Sequence, residues 1–207
     1  HHSIAESIYS KLPYNIEKDF DPVTVLAYVP NVIVMHPKHD NDIKTYADLL
    51  RYLRANPGKL NYGSAGNGTS HHLVGELFKL RTGTDIVHVP YKGAGPGIAD
   101  LVAGHIPMMT PNITGPVLEL HRAGKIRILA AASHARLKGA PDIPTAVESG
   151  MPGFVVELFT ALFAPAGTPR AIVEQIAQAT QTALADEDYQ RALVKSGFEV
   201  STDTSPD

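Results

Sequence analysis

The sequence predicts an α/β fold with a largely parallel sheet. Short apolar strands alternate with amphipathic helices in successive units near residues 60–80, 86–103 and 106–122. Glycine-rich turns at residues 63–68 and 91–97 each leave a strand and enter a helix. The bulk composition suits a packed core: 43% of the 207 residues are apolar and 19% are charged.

Taken in order, residues 3–9 read as a short helix, and residues 11–14 and 19–22 as surface loop. Residues 23–27 and 29–35 are β-rich and interrupted by Pro30, the pattern of a strand passing from one domain into another. A helix is expected over residues 45–55, with Tyr46, Leu49, Leu50 and Leu53 on one face and Asn56, Pro57 and Gly58 stopping it. A strand at residues 60–62 leads through the first glycine-rich turn into a helix from Thr69 to about Leu80, with Gly83 as its C-cap. Further strands are expected at residues 85–90, 106–109 and 126–132, with a helix ending near Gly104 and another opened by Thr110, Pro111 and Asn112. A loop-rich stretch over residues 133–153 precedes a second crossing strand at 154–164. Thr168 as N-cap and Pro169 at the first helical position then start a helix to about Ala185, with Ile172, Val173, Ile176 and Ala177 facing inward. A shorter helix follows over residues 187–196, and the tail from Thr202 is polar.

Residues 63–72, Gly-Ser-Ala-Gly-Asn-Gly-Thr-Ser-His-His, carry the most chemistry. Glycines bring bare backbone amides close to a ligand, and a helix start concentrates unpaired N–H groups and positive potential. The hydroxyls of Ser64, Thr69 and Ser70 add donors, so the segment suits a carboxylate or phosphate. It contains no Lys or Arg, which limits binding to dipoles. A plain helix cap explains the same glycines equally well. Thr69 stands where a P-loop needs Lys, and His71 where a dinucleotide fingerprint needs Gly. Tyr62 stands where a nucleophile elbow before Ser64 needs Gly. In the second turn Tyr91 is suited to donate a hydrogen bond or wall a pocket, while Lys92 reads as a solvated charge. Asn112 suits a ligand hydrogen bond and a helix cap equally.

Other classes are disfavoured. The net charge of −3 and the lack of a basic run argue against a nucleic-acid partner. The absence of Cys excludes disulfides and thiol chemistry, and the ten His are scattered without a metal-binding motif. No metal and no cofactor is expected.

Several segments together resemble the Bug (TctC-like) family, the extracytoplasmic receptors related to tripartite tricarboxylate transport systems. The resemblance runs through Leu12-Pro13-Tyr14, residues 19–22, Val29-Pro30-Asn31, the long match at residues 56–70, and residues 88–93. It continues through residues 123–125, 141–145, 148–150 and 163–169. It implies a type II periplasmic binding-protein fold: two α/β domains joined by two crossing strands, with a ligand clamped between them and the strands near 24–35 and 154–164 as hinges. Residues 1–28 with 160–207 would form one domain and residues 29–159 the other. The family's opening segment, with its Gly-Gly loop, and its C-terminal helix are expected to be missing, leaving the first domain incomplete and half of the carboxylate site.

Carried over by position, Ser64, Gly66, Asn67, Gly68, Thr69 and Ser70 would form a carboxylate loop, with Tyr91 and Asn112 as pocket residues. Thr110-Pro111 stand where the family has Phe-Asp, and Phe159-Thr160-Ala161 where it often has Trp-Phe-Gly, so ligand identity does not transfer. The expected function is periplasmic capture, without catalysis, of a small carboxylate or amide by a monomer that delivers it to a two-component membrane permease. The alternatives are a sensory module on the same fold and a small-molecule hydrolase.

Overall fold

The structure, a computed structural model, describes residues 11–39 and 41–200. The helix expected over residues 3–9 and the tail from Thr202 lie outside the described residues. The chain divides into two compact units. One is Pro30–Leu158; the other joins the residues before Pro30 to those after Leu158.

The Pro30–Leu158 unit is built on a five-stranded sheet. Its strands are β2 (Val32–Met35), β3 (Asn61–Ser64), β4 (Val87–Pro90), β5 (Met108–Met109) and β6 (Arg127–Ala131). Their spatial order is β4-β3-β5-β2-β6. β3 runs parallel to β4 and β5, and β2 runs antiparallel to β5 and β6. β2 is buried throughout and reads as an uninterrupted apolar run, as a strand covered on both faces must.

The helices of this unit are α1 (Tyr46–Ala55), α2 (Ser70–Thr82), α3 (Ala94–Ala103) and α4 (Gly115–Arg122). α1 starts where Thr45 Oγ1 accepts from the Asp48 amide at 3.1 Å and Asp48 Oδ2 accepts from the Thr45 amide at 2.9 Å. This reciprocal cap is worth about 1 kcal/mol. It directs Tyr46, Leu49 and Leu53 into a core shared with Ile33, Met35, Tyr62, Phe78 and Phe154. α2 ends on Gly83, whose φ of 62° is the left-handed cap expected of that residue.

Three sequence expectations are corrected here. Thr110, Pro111 and Asn112 do not open α4. Their backbone extends the sheet edge instead: the Val32 amide donates to Pro111 O at 2.8 Å and the Ile113 amide to Pro30 O at 3.0 Å. The helix therefore starts after Thr114, with Pro116 in its first turn. Residues 20–22, expected in a loop, already belong to strand β1 (Phe20–Pro30). Thr168 is not an N-cap; its hydroxyl turns back to Pro165 O at 2.6 Å, and Pro169 takes the cap position of helix α5 (Arg170–Leu184).

The second unit holds a three-stranded sheet, order β7-β1-β8, with β7 (Glu157–Pro165) and the short β8 (Glu199–Val200), together with α5 and α6 (Glu187–Lys195). Val23, Ala164, Val173 and Ala177 form its buried cluster. α5 lays its Val173–Ala177–Leu184 stripe inward. Ile172 and Ile176, one position earlier, are thereby rotated about 100° away. They are exposed, contrary to the inward placement their apolar character suggests.

Candidate functional site

The parallel register sets the carboxyl ends of β3, β4 and β5 along one sheet edge. Ser64 pairs with Pro90, and Gly63 with Met109. The turns that follow, at residues 65–69, 91–93 and 110–114, are gathered at this edge, where open α/β sheets bind ligands.

The first turn is held by its own polar groups. Ser64 is fully buried; its Oγ accepts from the Gly66 amide at 3.0 Å and lies 2.7 Å from His88 Nε2. Gly66 and Gly68 have φ of 126° and 73°, a region L side chains rarely adopt, so the turn requires glycine at both. Thr69 donates its hydroxyl to Gly66 O at 2.8 Å and, as the N-cap of α2, accepts from the His72 amide at 3.4 Å. The Gly68 amide donates to His72 Nδ1 at 3.2 Å. Among the described residues, the amides of Asn67, Ser70 and His71 find no acceptor. Those of Ser70 and His71 are orphan donors of the helix start and carry the positive end of its dipole, and that of Asn67 belongs to the turn before it.

The remaining expected site residues flank this turn. Tyr91 is tied to it by its main chain, its amide donating to Ser64 O at 3.0 Å. Its hydroxyl donates to Asp100 Oδ2 at 2.8 Å. Partial burial, and then the carboxylate beside it, push the Tyr91 phenol up to about 12. The hydrogen bonds from Tyr91 and His105 hold Asp100 below the usual carboxylate range. Asn112 is not a helix cap. Its Oδ1 faces His71 Nε2 at 3.1 Å and Ser70 Oγ at 3.4 Å, and its Nδ2 donates to Asn31 Oδ1 at 3.2 Å.

His71, Asn31, Thr110 and His88 lie around the same turn, although the sequence reading assigns none of them a ligand-binding role. His71 is buried, and burial lowers its pKa, so it stands neutral. In the sequence it could not be told from His72, which lies instead against the His88 ring at 4.2 Å. Asn31 and Thr110 are fully buried. A polar residue inside the apolar run after Pro30 was the available signal, because buried amides persist where they have partners.

Ser64 and His88 have the separation of a nucleophile and its base. The serine is sealed from solvent and bound to the turn, and the imidazole is stacked between Tyr62 and His72. The pair therefore ties the ends of β3 and β4 together. Among the described residues no cluster of three His, Cys, Asp or Glu is placed to hold a metal.

Residues 2–207 match the family described as "Tripartite tricarboxylate transporter family receptor". A solved structure described as that of a periplasmic transporter is 41% identical, with a TM-score of 0.86 over 95% of this chain and 64% of its own. Rpa4515 of R. palustris, solved with adipate, is 33% identical with a TM-score of 0.85, over 96% of this chain and 65% of its own. MatC (Rpa3494) from Rhodopseudomonas palustris, solved with bound malate, is 32% identical with a TM-score of 0.83, over 97% and 67%. The chain spans 57%, 51% and 60% of the length of three curated relatives that it matches at 38%, 35% and 33% identity.

Proposed function

Because the chain belongs to the TctC family of receptors, we propose that it captures a small carboxylated solute in the periplasm and hands it to a two-component membrane permease. Family members are receptors and not enzymes, which fits a serine–histidine pair committed to structure. The observation that carries the reading is the set of unpaired amides of Asn67, Ser70 and His71 at the carboxyl edge of the sheet. A carboxylate oxygen is an acceptor of the right charge for them, and each charge-assisted bond is about twice as strong as a neutral one.

Ser64, Gly66, Gly68 and Thr69 shape this loop, and Asn67 and Ser70 contribute its free donors. Tyr91 and Asn112 position it. The loop from Gly63 to His72 has no Lys or Arg, so capture relies on partial charges and stays readily reversible. Two similar structures hold adipate and malate, which makes dicarboxylates of four to six carbons the first ligands to try.

The test is a thermal-unfolding screen of mono-, di- and tricarboxylates. A ligand at about 100 times its Kd adds about 2.7 kcal/mol to the folded state, an easily measured rise in midpoint. A flat response to every carboxylate at millimolar concentration refutes the proposal.

A further inference from the structure

Around the first turn of α2, four residues close a ring of hydrogen bonds. His71 Nε2 faces Asn112 Oδ1 at 3.1 Å. Asn112 Nδ2 donates to Asn31 Oδ1 at 3.2 Å, and Asn31 Nδ2 donates to Thr110 O at 2.9 Å. Thr110 Oγ1 then donates back to His71 O at 2.6 Å. Three of its members are buried: Asn31 and Thr110 are inaccessible and His71 is 4% exposed, while Asn112 is half-buried. It joins α2 to the end of β5 and to the start of β2. There the Asn31 main chain is held twice more, its amide donating to Val156 O at 3.2 Å and its carbonyl accepting from the Ala132 amide at 2.8 Å.

One feature of the ring is unfavourable. Among the described residues, no group pairs with the buried His71 Nδ1. Neutral imidazole has one donor and one acceptor nitrogen. If Nε2 bears the proton it donates to Asn112 Oδ1; if it does not, it accepts from the Asn112 amide at 3.3 Å. In either tautomer the other nitrogen stays unsatisfied. An apolar side chain at this position avoids that cost but leaves Asn112 Oδ1 with only Ser70 Oγ at 3.4 Å, so what the histidine supplies is the link to Asn112.

We infer that His71 is a positioning residue for ligand capture: its imidazole closes the ring that fixes the free amides of Ser70 and His71 in one orientation before the carboxylate arrives. Free donors already held in place lose no freedom on binding, which is where affinity is gained without new contacts. Asn112 acts through the same ring, and Ser70 Oγ, 3.4 Å from Asn112 Oδ1, couples the adjacent hydroxyl to it. The inference rests on the carboxylate reading above.

The test measures affinity for adipate and for malate by calorimetry, with thermal midpoints alongside, for wild type, His71→Leu, His71→Gln, Asn112→Ala and the double variant His71→Leu/Asn112→Ala. His71→Leu is expected to weaken binding by about tenfold, taking the lower end of the range that loss of an orienting partner costs at metal sites. Its midpoint is expected to change little, because the loss of the unpaired nitrogen offsets the bond lost at Asn112 Oδ1, which keeps Ser70 Oγ at 3.4 Å. His71→Gln, whose amide can reach Asn112, is expected to restore affinity to within about threefold of wild type, or about 0.65 kcal/mol. The double variant is expected to bind no more weakly than the poorer single one, as residues acting through one network do. Wild-type affinity in His71→Leu overturns the inference alone. So does a loss of affinity that follows the midpoint downward and is not rescued by Gln. If wild type binds no carboxylate, the proposed function fails and takes this inference with it.

Discussion

Replacing Gly75 by alanine tests how tightly the site helix is seated on the sheet. Gly75 is a buried residue of α2, directly over Tyr62 of β3. A Cβ built on it lies 2.0 Å from Tyr62 Cε2, 2.2 Å from Cζ and 2.7 Å from the hydroxyl oxygen. Carbon atoms in contact sit about 3.5–4.0 Å apart, so a gap of about 1.5 Å has to open. The tyrosine cannot supply it. Its ring is inaccessible and stacked on His88 at 5.0 Å, and its hydroxyl donates to Glu76 Oε1 at 2.8 Å. The helix therefore has to lift from the strand.

Overpacking costs about 1–3 kcal/mol, and a clash this deep belongs at the upper end. Alanine returns about 1 kcal/mol through its better helix propensity. The net expectation is a loss of about 2 kcal/mol, or a fall in midpoint of roughly 4–8 °C. Urea unfolding followed by circular dichroism measures the loss directly. Adding Tyr62→Leu removes the ring atoms that clash, so the double variant is expected to lose less than the sum of the singles. A Gly75→Ala protein as stable as wild type refutes the reasoning, because it would mean that the helix is loosely seated.

Three further outcomes are expected. Asn31→Ala leaves Thr110 O without its partner in a buried site and Asn112 Nδ2 without its partner in a half-buried one, and is expected to cost about 1–3 kcal/mol by chemical denaturation; a loss within error of zero contradicts the ring. Thr69→Ala removes the cap of α2, at about 1 kcal/mol of stability, and weakens carboxylate affinity by loosening the turn at Gly66; calorimetry showing unchanged affinity excludes it from the site. The third concerns pH. Burial lowers the pKa of His71, and lowers those of His88 and His39 with help from neighbouring cationic groups. Each then lies below the value near 6.5 of the unfolded chain, so as pH falls through about 6.5 the unfolded state binds more protons than the folded state. Stability is fully present above that pH and declines below it. The midpoint is expected to drop between pH 7.5 and 5.5, less steeply in His71→Gln; a flat profile over this window refutes the lowered imidazole pKa values.

Local signals carried much of the architecture. Alternating apolar strands and helices gave the α/β class, Thr45 and Gly83 marked helix ends, and the glycine spacing at residues 63–68 marked the turn before α2. These features depend on contacts between residues a few positions apart, so their chemistry is written along the chain. The resemblance over residues 56–70 pointed to the same turn. What the chain did not disclose depends on partners far apart in sequence. Thr110, Pro111 and Asn112 look like a helix start, yet pairing with residues 30–32 keeps them extended. Ser64 looks like a free donor, yet it is spent on Gly66 and His88.

The sequence by itself therefore determined the alternation of strands and helices and the place of the glycine-rich turn. Only the tertiary structure decided which polar side chains stay free and which are consumed. A buried donor must find an acceptor, and which acceptor lies within 3 Å or so is set by how strands and helices pack. His71 and His72 differ by one position in the chain. Packing turns one into the ring with Asn112 and stacks the other on His88.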